Sequence, residues 1–276
     1  MHITIINDCR DNNAASRQIA RTASIFNTSV NIVGVRTDLE AAGNLIDTID
    51  AMEEASGIIL VNVAPRSKEA WWLNTTQKQN NKNYQDQNKN GTAFAYFYYK
   101  NILIISTISG LTLSLVKKLK LTTEINVIDI PKTLEKIVKA KLISQTLATQ
   151  IANSQFRSFD FVPRAAKWIT DNPKLISSRK AKINAIPDAP KSIWWIDNFG
   201  NCKTTLLKVD IKIKNKAVKT KKGEISFIPR LADVGEGKAA MIQGSSGINN
   251  KRFLEIIVQG GNAAKILKLY PGDNIM

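Results

Sequence analysis

The order of apolar runs in the first 63 residues limits the possible folds more than any other feature of the sequence. Three short, strand-like runs are separated by two segments with helical spacing: 3–7, 14–25, 30–35, 39–55 and 57–63. Strand, helix, strand, helix, strand is the pattern of a parallel sheet with helices packed on its faces. Ligands of such sheets bind beyond the carboxyl ends of the strands, where Asp8 and Asn62 are expected.

The pattern changes after residue 190, where short strand-like segments follow one another with turns between them. These segments are 193–197, 203–209, 211–218, 224–228, 239–243 and 253–259. Such spacing predicts a small antiparallel barrel. The preceding stretch is rich in Pro, Ser and Lys, which favours a linker. We predict an α/β fold with an amino-terminal parallel-sheet α/β domain, a linker and a carboxy-terminal small antiparallel β-barrel, over 1–170, 171–190 and 191–276.

The middle of the chain mixes both patterns. A hairpin around Lys100 and Asn101 is predicted to join two strands. The segments predicted here are strands at 93–99 and 102–106, a helix at 111–119, a strand at 125–130, a long helix at 131–152 and an irregular stretch at 156–166. Asn, Gln and Lys dominate 74–90, which cannot bury enough apolar surface to order itself and is interpreted as a flexible loop.

Length and composition exclude several classes of protein. A chain of 276 residues can bury a substantial core, and no run of eighteen apolar residues predicts a membrane span. The first residues lack the basic and apolar regions of a signal peptide. Two cysteines, Cys9 and Cys202, do not form a disulfide framework and suit a reducing compartment. We therefore expect a cytoplasmic protein without a membrane partner.

The net charge of +16 raises the possibility of a nucleic-acid partner. The densest group of lysines, at 208–222, alternates with apolar residues, as on the solvated face of an antiparallel strand. Nucleic-acid sites more often concentrate basic residues on one face with aromatic residues among them. A basic nucleic-acid-binding protein is therefore kept as an alternative, and a small-molecule substrate is preferred.

Residues with recognisable catalytic chemistry are scarce. His2 is the one histidine, and its place at the start of the first strand favours a structural role over a serine–histidine–acid triad. No His, Cys or Asp cluster has the spacing of a metal site, and no phosphate-binding glycine loop is present. We predict no metal and no cofactor.

Two stretches near the carboxyl terminus carry a more specific pattern. The first, 194–205, predicts a strand, a tight turn and a second strand, since Gly200 and Asn201 tolerate a positive φ. By itself this pattern is typical of a turn that only joins strands. The second stretch contains Gly-Ser-Ser-Gly at 244–247, an apolar run with Gly-Gly-Asn-Ala-Ala at 253–264, and Pro-Gly-Asp at 271–273.

Together these stretches resemble the carboxy-terminal barrel of the S-adenosylmethionine hydrolase (adenosine-forming) and fluorinase/chlorinase family. That family carries a D-x-F-G-N-x-x-T-N element, an S-x-G element, L-E-I-A-V-x-G-x-A-A and a late G-D. The resemblance extends to Leu-Ala-Asp-Val-Gly-Glu at 231–236, to Ile-Ile-Asn-Asp at 5–8 followed by Asp11, and to Phe-Val-Pro-Arg-Ala-Ala at 161–166.

The resemblance implies a particular assembly and reaction. Family members are homotrimers that bind S-adenosylmethionine between the amino-terminal domain of one subunit and the barrel of the next. Water, or halide in specialised members, attacks the ribose C5′ and methionine leaves. The enzyme must desolvate and aim the nucleophile, and needs no metal. S-adenosylmethionine would be the substrate, with no separate cofactor.

The resemblance also implies roles for individual residues. Asp8 would accept hydrogen bonds from the ribose hydroxyls. The adenine contacts would be Phe199, Asn201 and the backbone near Gly260, and the methionine contacts would be Asn13, Ser245 and Ser246. Two alternatives stay open, since Asp8 is also a candidate helix cap and Asn201 a candidate turn residue.

The nucleophile site departs from the family. Water-using members orient the water with Asp, Arg and His, and here Asn62 stands at the place of the Asp and Phe156 at that of the His. Arg66 lies near the place of the Arg, and Ser158 is a nearby hydroxyl. Asn62, Arg66 and Ser158 are therefore the catalytic candidates, without assigned roles. Because Asn and Phe cannot deprotonate water, a catalytically silent binding protein is the main alternative to a hydrolase.

Overall fold

The computed structural model describes residues 1–63 and 93–276. Its contacts divide these residues into two compact units. The amino-terminal unit contains Met1–Leu45 and Met52–Pro187, and the carboxy-terminal unit contains Ile46–Ala51 and Asp188–Met276. The predicted flexible loop at 74–90 and the candidate Arg66 lie outside the described residues.

The amino-terminal unit is a mixed sheet with helices between its strands, and one helix, α2 (Asp38–Met52), shares its segment Ile46–Ala51 with the carboxy-terminal unit. Its elements are β1 His2–Asn7, α1 Asn12–Phe26, β2 Asn31–Gly34, α2 Asp38–Met52, β3 Gly57–Asn62, β4 Phe94–Tyr99, β5 Ile102–Thr107, α3 Ser114–Leu119, β6 Glu124–Ile128, α4 Ile130–Lys139, α5 Gln145–Asn153, α6 Arg157–Asp160, α7 Val162–Asp171 and β7 Ser178–Lys182. A 3₁₀ turn, Pro173–Leu175, precedes β7. The described strands lie in the order β2-β1-β3-β5-β4-β6-β7.

The parallel part of this sheet is β2-β1-β3-β5, which confirms the predicted α/β class. β3 is buried over nearly its whole length, as expected for a strand covered on both faces. From β5 onward the pairs are antiparallel. β4 and β5 form the predicted hairpin, and Lys100 has φ +49° at its turn.

Two predictions about the helices were wrong. The single helix over 131–152 is two helices, α4 and α5, because Lys141 adopts φ +58° and the Ser144 side chain caps a new helix by accepting from Leu147 N–H at 3.2 Å. The irregular segment at 156–166 is instead helical, as α6 and the start of α7. Its Pro163 lies in the first turn of α7, where no backbone donor is needed.

The predicted linker, 171–190, contains β7, and the interpretation of this whole stretch as a linker is corrected. β7 pairs antiparallel with β6 over the full length of that strand, from Glu124 to Ile128. Its side chains alternate between exposed and half-buried. An edge strand of this kind is fixed by backbone hydrogen bonds, which a composition rich in Lys and Ser does not reveal.

The carboxy-terminal unit is a second sheet of short strands. Its elements are β8 Ile193–Ile196, β9 Cys202–Leu207, β10 Ile213–Lys214, β11 Ala217–Thr220, β12 Gly223–Phe227, β13 Ala239–Ile248, β14 Lys251–Val258 and α8 Ala263–Leu267. The described strands lie in the order β10-β11-β12-β13-β14-β9-β8. All pairs are antiparallel except β12–β13. Closure of this sheet into a barrel stays a prediction.

The strand predicted at 211–218 is a tight hairpin. Asn215 and Lys216 have φ +48° and +59°, and they reverse the chain between β10 and β11. Positive φ at both central residues matches the twist of a two-residue hairpin. The alternation of lysines with apolar residues predicted one continuous strand and gave no sign that the chain reverses between β10 and β11.

Each unit has its own hydrophobic core. The amino-terminal core is built from β1, β3, β5 and the helices α4, α5 and α7, with Phe94 and Phe161 among its fully buried aromatic side chains. The carboxy-terminal core is built mainly from β9, β12 and β14. Within 1–63 and 93–276, no helix is long and apolar enough to cross a membrane.

Candidate functional site

The first group of predicted site residues lies at the carboxyl ends of β1 and β3. Asn7 and Asn62 are partners in the parallel register, and the Asp8 N–H donates to the Asn62 carbonyl at 3.3 Å. The sheet therefore brings Asp8 and Asn62 to one edge, as the strand pattern predicted.

Asn7 organises this edge, and we did not predict it from the sequence. It is fully buried, and its Nδ2 donates to Oε1 of the buried Gln18 on α1 at 2.7 Å. Its Oδ1 accepts from the Cys9 N–H at 2.8 Å, so one side chain ties the loop containing Asp8 to α1. A polar residue that directly follows the apolar residues Ile5 and Ile6 was the available signal.

Asn13 lies in the exposed first turn of α1. The side chain that caps this helix belongs to Asp11, which accepts from the Ala14 N–H at 2.9 Å. The alternative that Asp8 is the helix cap therefore does not hold.

Ser158 lies on α6, an element distinct from the β1 and β3 edge, and its side chain is half-buried. Phe156 comes just before α6 and is 70% exposed. Arg66 is outside the described residues. Of the three catalytic candidates, the structure thus describes Asn62 and Ser158, and it places them on different elements.

The second group forms a loop between β8 and β9. Oδ1 of Asp197 accepts from the N–H groups of Phe199 and Asn201, both at 2.9 Å. Oδ2 of Asp197 accepts from Asn201 Nδ2 at 3.0 Å. One carboxylate therefore fixes the turn, and the Phe199 side chain is 71% exposed.

Gly200 joins this loop to the segment after β14. It has φ +88°, and an added Cβ would lie 2.1 Å from the Asn262 side chain. The Gly200 carbonyl accepts from the Ala264 N–H at 3.0 Å, and Asn262 caps α8. Gly260, with φ +69°, lies two residues before Asn262. The residues predicted to contact adenine thus lie in two loops held against each other.

Ser245 and Ser246 lie at an irregularity of β13, between Gln243 and Gly247. Ser246 is 2% exposed, and its Oγ accepts from Lys203 Nζ at 2.7 Å and donates to Asp47 Oδ2 at 2.8 Å. The Ser245 Oγ is 3.4 Å from Lys203 Nζ. Both hydroxyl groups therefore have partners inside the unit, and their role as methionine contacts stays a prediction.

A buried network of charges surrounds these serines. Lys203 Nζ is 3.3 Å from Glu255 Oε1, with side chains 10% and 8% exposed. Asp47 also accepts from the Gly247 N–H at 3.2 Å, and it belongs to the helical segment that groups with this unit. Burial raises the pKa of Asp47, against the lowering effect of Ser246 and Lys203. Sequence reasoning missed this network because Asp47 is far away along the chain.

The cysteines are chemically different. Burial, with help from the nearby charges of Asp197 and Asp273, raises the pKa of Cys202 to about 12. Cys9 is exposed beside the first group, and partial burial together with Asp8 and Asp11 raises its pKa. Neither thiol is a ready nucleophile near neutral pH. Among the residues described, no group of three His, Cys, Asp or Glu could hold a metal, and the absence of a metal stays a prediction.

One comparison with known protein families finds a match in the carboxy-terminal unit. Residues 191–276 match the family model of the SAM hydroxide adenosyltransferase C-terminal domain, which confirms the resemblance found in the sequence. No curated protein matches the chain.

Solved structures resemble the chain over its full length. An uncharacterized conserved protein from Thermotoga maritima is 17% identical with a TM-score of 0.62, over 98% of this chain and 97% of that one. A conserved hypothetical protein from Thermus thermophilus is 17% identical with a TM-score of 0.56, over 100% and 99%. At this identity they show a shared fold.

Proposed function

We propose that the protein binds S-adenosylmethionine and cleaves it with water, because residues 191–276 match the model of the SAM hydroxide adenosyltransferase C-terminal domain. The products would be adenosine and L-methionine. The family assignment supports a reaction on S-adenosylmethionine, and the hydrolytic outcome is our proposal from the resemblance of the whole chain.

The loop held by Asp197 is the observation that carries the proposal. Asp197 accepts hydrogen bonds from the backbone N–H groups of 199, 200 and 201, and the turn that it fixes presents the Phe199 side chain to solvent. A flat aromatic face suits stacking on adenine. The side-chain carbonyl of Asn201 is the acceptor left for the exocyclic amine, because its Nδ2 is engaged by Asp197.

The reaction balances without a cofactor. Water forms a bond to the ribose C5′, the bond from C5′ to the sulfonium sulfur breaks, and its electron pair leaves on methionine as a neutral thioether. One proton goes to solvent. Because the leaving group is already cationic in the substrate, the site must mainly orient and desolvate the water.

The amino-terminal edge would hold the ribose and the water. Asp8 would accept hydrogen bonds from the ribose hydroxyls, and Asn13 would contact the methionine end. Asn62, next to Asp8, can orient a water through its carboxamide but cannot deprotonate it. Arg66 and Ser158 are the further candidates for positioning the nucleophile.

We propose that the active form is a homotrimer, with the adenosine pocket completed by two chains as in the resembled family. The amino-terminal residues Asp8, Asn13 and Asn62 would come from one subunit. Phe199, Asn201, Ser245, Ser246 and Gly260 would come from its neighbour.

A second candidate is a silent adenosine- or S-adenosylmethionine-binding protein. The observation that favours it is the chemistry at the nucleophile position, where Asn62 ends β3 and Phe156 precedes α6. Neither side chain can take a proton from water.

Incubation with S-adenosylmethionine in ¹⁸O-labelled water, followed by chromatography and mass analysis, separates the two candidates. Hydrolysis gives equal amounts of methionine and adenosine, with the label in the 5′-hydroxyl. Binding measured by calorimetry without product release supports the silent protein. Absence of both binding and cleavage contradicts the proposed function.

A further inference from the structure

Three arginine side chains lie close together where α1, α6 and α7 of the amino-terminal unit meet. Arg17 and Arg21 lie one turn apart on α1, and both guanidinium groups lie over the Phe159 ring of α6, at 5.0 and 4.2 Å from its centroid. Arg164, on α7, donates from Nη1 to the Asp160 carbonyl at 2.7 Å. Arg157 lies two residues before Phe159 on α6. We call the side chains of Arg17, Arg21 and Arg164 the arginine cluster.

The charges of the cluster are not balanced. Arg21 Nη1 is 3.6 Å from Asp160 Oδ1, which is the one carboxylate that we find in contact with the cluster among the described residues. The other carboxylate oxygen of Asp160 accepts from Ser154 Oγ at 2.5 Å. Three guanidinium groups around Phe159 and Asp160, namely those of Arg17, Arg21 and Arg164, therefore share a single negative charge.

Burial makes this imbalance costly. Arg21 has a side chain only 28% exposed. Burial lowers the pKa of Arg164, and the charge of Arg21 lowers it further. Burial also lowers the pKa of Arg157, whose buried Nε has no hydrogen-bond partner within the described part of the chain. Partly buried cations in excess of their counter-ions are stabilised when an anion completes the group.

The geometry points to a binding site for a phosphate group at the arginine cluster. Arg17, Arg21 and Arg164 exceed Asp160 by two positive charges, which a phosphate with up to two negative charges and three acceptor oxygens would neutralise. Guanidinium groups bind such oxygens with paired N–H donors. Arg17 is exposed, so an anion from solvent can reach the cluster.

This site is distinct from the proposed adenosine contacts, and of the nucleophile candidates only Ser158, on α6 beside Phe159, lies next to it in sequence. S-adenosylmethionine carries no phosphate, and the adenosine contacts that we propose, Asp8, Phe199 and Asn201, are outside the cluster. The phosphate could belong to a small phosphorylated molecule or to a nucleic-acid strand, since the net charge of +16 favours either.

Calorimetric titration with inorganic phosphate, at constant ionic strength set by chloride, tests the site. We expect saturable binding to the wild-type protein, and affinity roughly tenfold to a hundredfold lower in Arg21→Gln and in Arg17→Gln. Arg17→Gln changes an exposed residue, so it separates loss of binding from loss of folding. Arg36→Gln, at an exposed arginine of the same unit, removes the same charge and should bind like the wild type.

Two further probes identify the source of the phosphate. Glycerol 3-phosphate has no adenosine to occupy the proposed substrate pocket. If it binds as tightly as a twelve-nucleotide single-stranded RNA and is weakened in Arg17→Gln, the ligand is a small phosphorylated molecule. RNA binding that is much tighter, falls steeply with salt and is weakened in Arg17→Gln indicates a nucleic acid. Either result supports the site. Equal binding to the wild type, Arg17→Gln and Arg36→Gln, or no binding of any probe, overturns it, whether or not S-adenosylmethionine is cleaved.

Discussion

At the scale of single residues, Asp8 carries the greatest weight in the proposed reaction. Asp8 lies one residue beyond β1. Its position is fixed by the neighbouring Asn7, whose side chain forms hydrogen bonds with Gln18 and Cys9. This makes Asp8 a carboxylate on a fixed loop, which suits recognition of two adjacent hydroxyl groups.

Asp8→Ala should weaken S-adenosylmethionine or adenosine binding. A hydrogen bond to a charged group contributes about 1.5–3 kcal/mol, so loss of one effective bond lowers affinity roughly tenfold to a hundredfold. Calorimetry with adenosine measures this change. His2→Ala is the control, because the His2 ring is bonded to Thr4 at the start of β1 and its loss should affect neither binding nor turnover. Equal affinity of wild type and Asp8→Ala contradicts the assignment.

The two thiols should differ sharply in reactivity. Iodoacetamide at pH 8 should modify Cys9 and leave Cys202 intact, because Cys202 is fully buried with a pKa of about 12. Mass spectrometry of the native protein should show one adduct, and two after denaturation. Reaction at Cys9 should accelerate above pH 9, since its pKa is raised. Native labelling of Cys202 would show that the strand-end loop opens.

The residues that the sequence could predict are those fixed by local rules. The apolar runs before Asp8 and Asn62 predicted two strand ends, and Gly200 predicted a turn with positive φ. The partners of Ser246 could not be predicted, because Lys203 and Asp47 reach it from distant parts of the chain. Tertiary contacts of this kind leave no periodic pattern.

At the scale of elements, the pairing of β9 with β14 buries a lysine and a glutamate side by side. Lys203 and Glu255 are register partners as well as an ion pair. Such a pair is costly to break, since removing one partner leaves the other as an uncompensated buried charge. Gly244 is needed beside them, because an added Cβ would lie 2.3 Å from Glu255 Oε1.

Lys203→Met should therefore destabilise the protein by about 3–5 kcal/mol. The double variant Lys203→Met with Glu255→Leu should recover part of that loss, because it removes both charges. Urea denaturation followed by tryptophan fluorescence compares the free energies of unfolding. A single variant that costs less than the double variant would mean that the pair does not act as a unit.

Asp47 should make stability depend on pH in the opposite direction from an ordinary ion-paired carboxylate. Burial raises its pKa above the ordinary value of 3.8, so the folded state binds a proton more tightly than the unfolded state. The stabilisation that Asp47 adds to the folded state is fully present below pH 3.8 and is lost as pH rises through the raised pKa. Asp47→Asn should flatten this part of the profile of unfolding free energy against pH. An unchanged profile would contradict the assignment.

The sequence predicted element boundaries well where hydrophobic periodicity is strong. It predicted them poorly where backbone hydrogen bonds or backbone conformation determine the boundary. β1 and β3 follow apolar runs, whereas β7 lies in a stretch whose composition is typical of a linker and is fixed by pairing with β6. The break between α4 and α5 depends on the left-handed conformation of Lys141. Lysine has no preference for that conformation, so the residue type does not predict the break.

At the scale of the whole molecule, the proposed reaction depends on assembly. The resembled family completes each adenosine pocket with a second chain, and we expect this protein to be a homotrimer. Light scattering at micromolar concentration should give three times the chain mass of 30.6 kDa. A clean monomer that still cleaves S-adenosylmethionine would show that one chain is sufficient. A monomer that does not bind S-adenosylmethionine would contradict the proposed function.

The segment Ile46–Ala51 groups with the carboxy-terminal unit, and this affects how that unit folds. The side-chain hydrogen bond of Ser246 to Asp47 joins residues 199 positions apart in the sequence, and that of Arg252 to Asp50 joins residues 202 positions apart. During synthesis the ribosome releases these aspartates long before their partners exist. The carboxy-terminal unit, which emerges last, therefore includes residues of one of the first helices to be synthesised. Its folding requires contacts between residues far apart in the sequence, and such contacts form slowly.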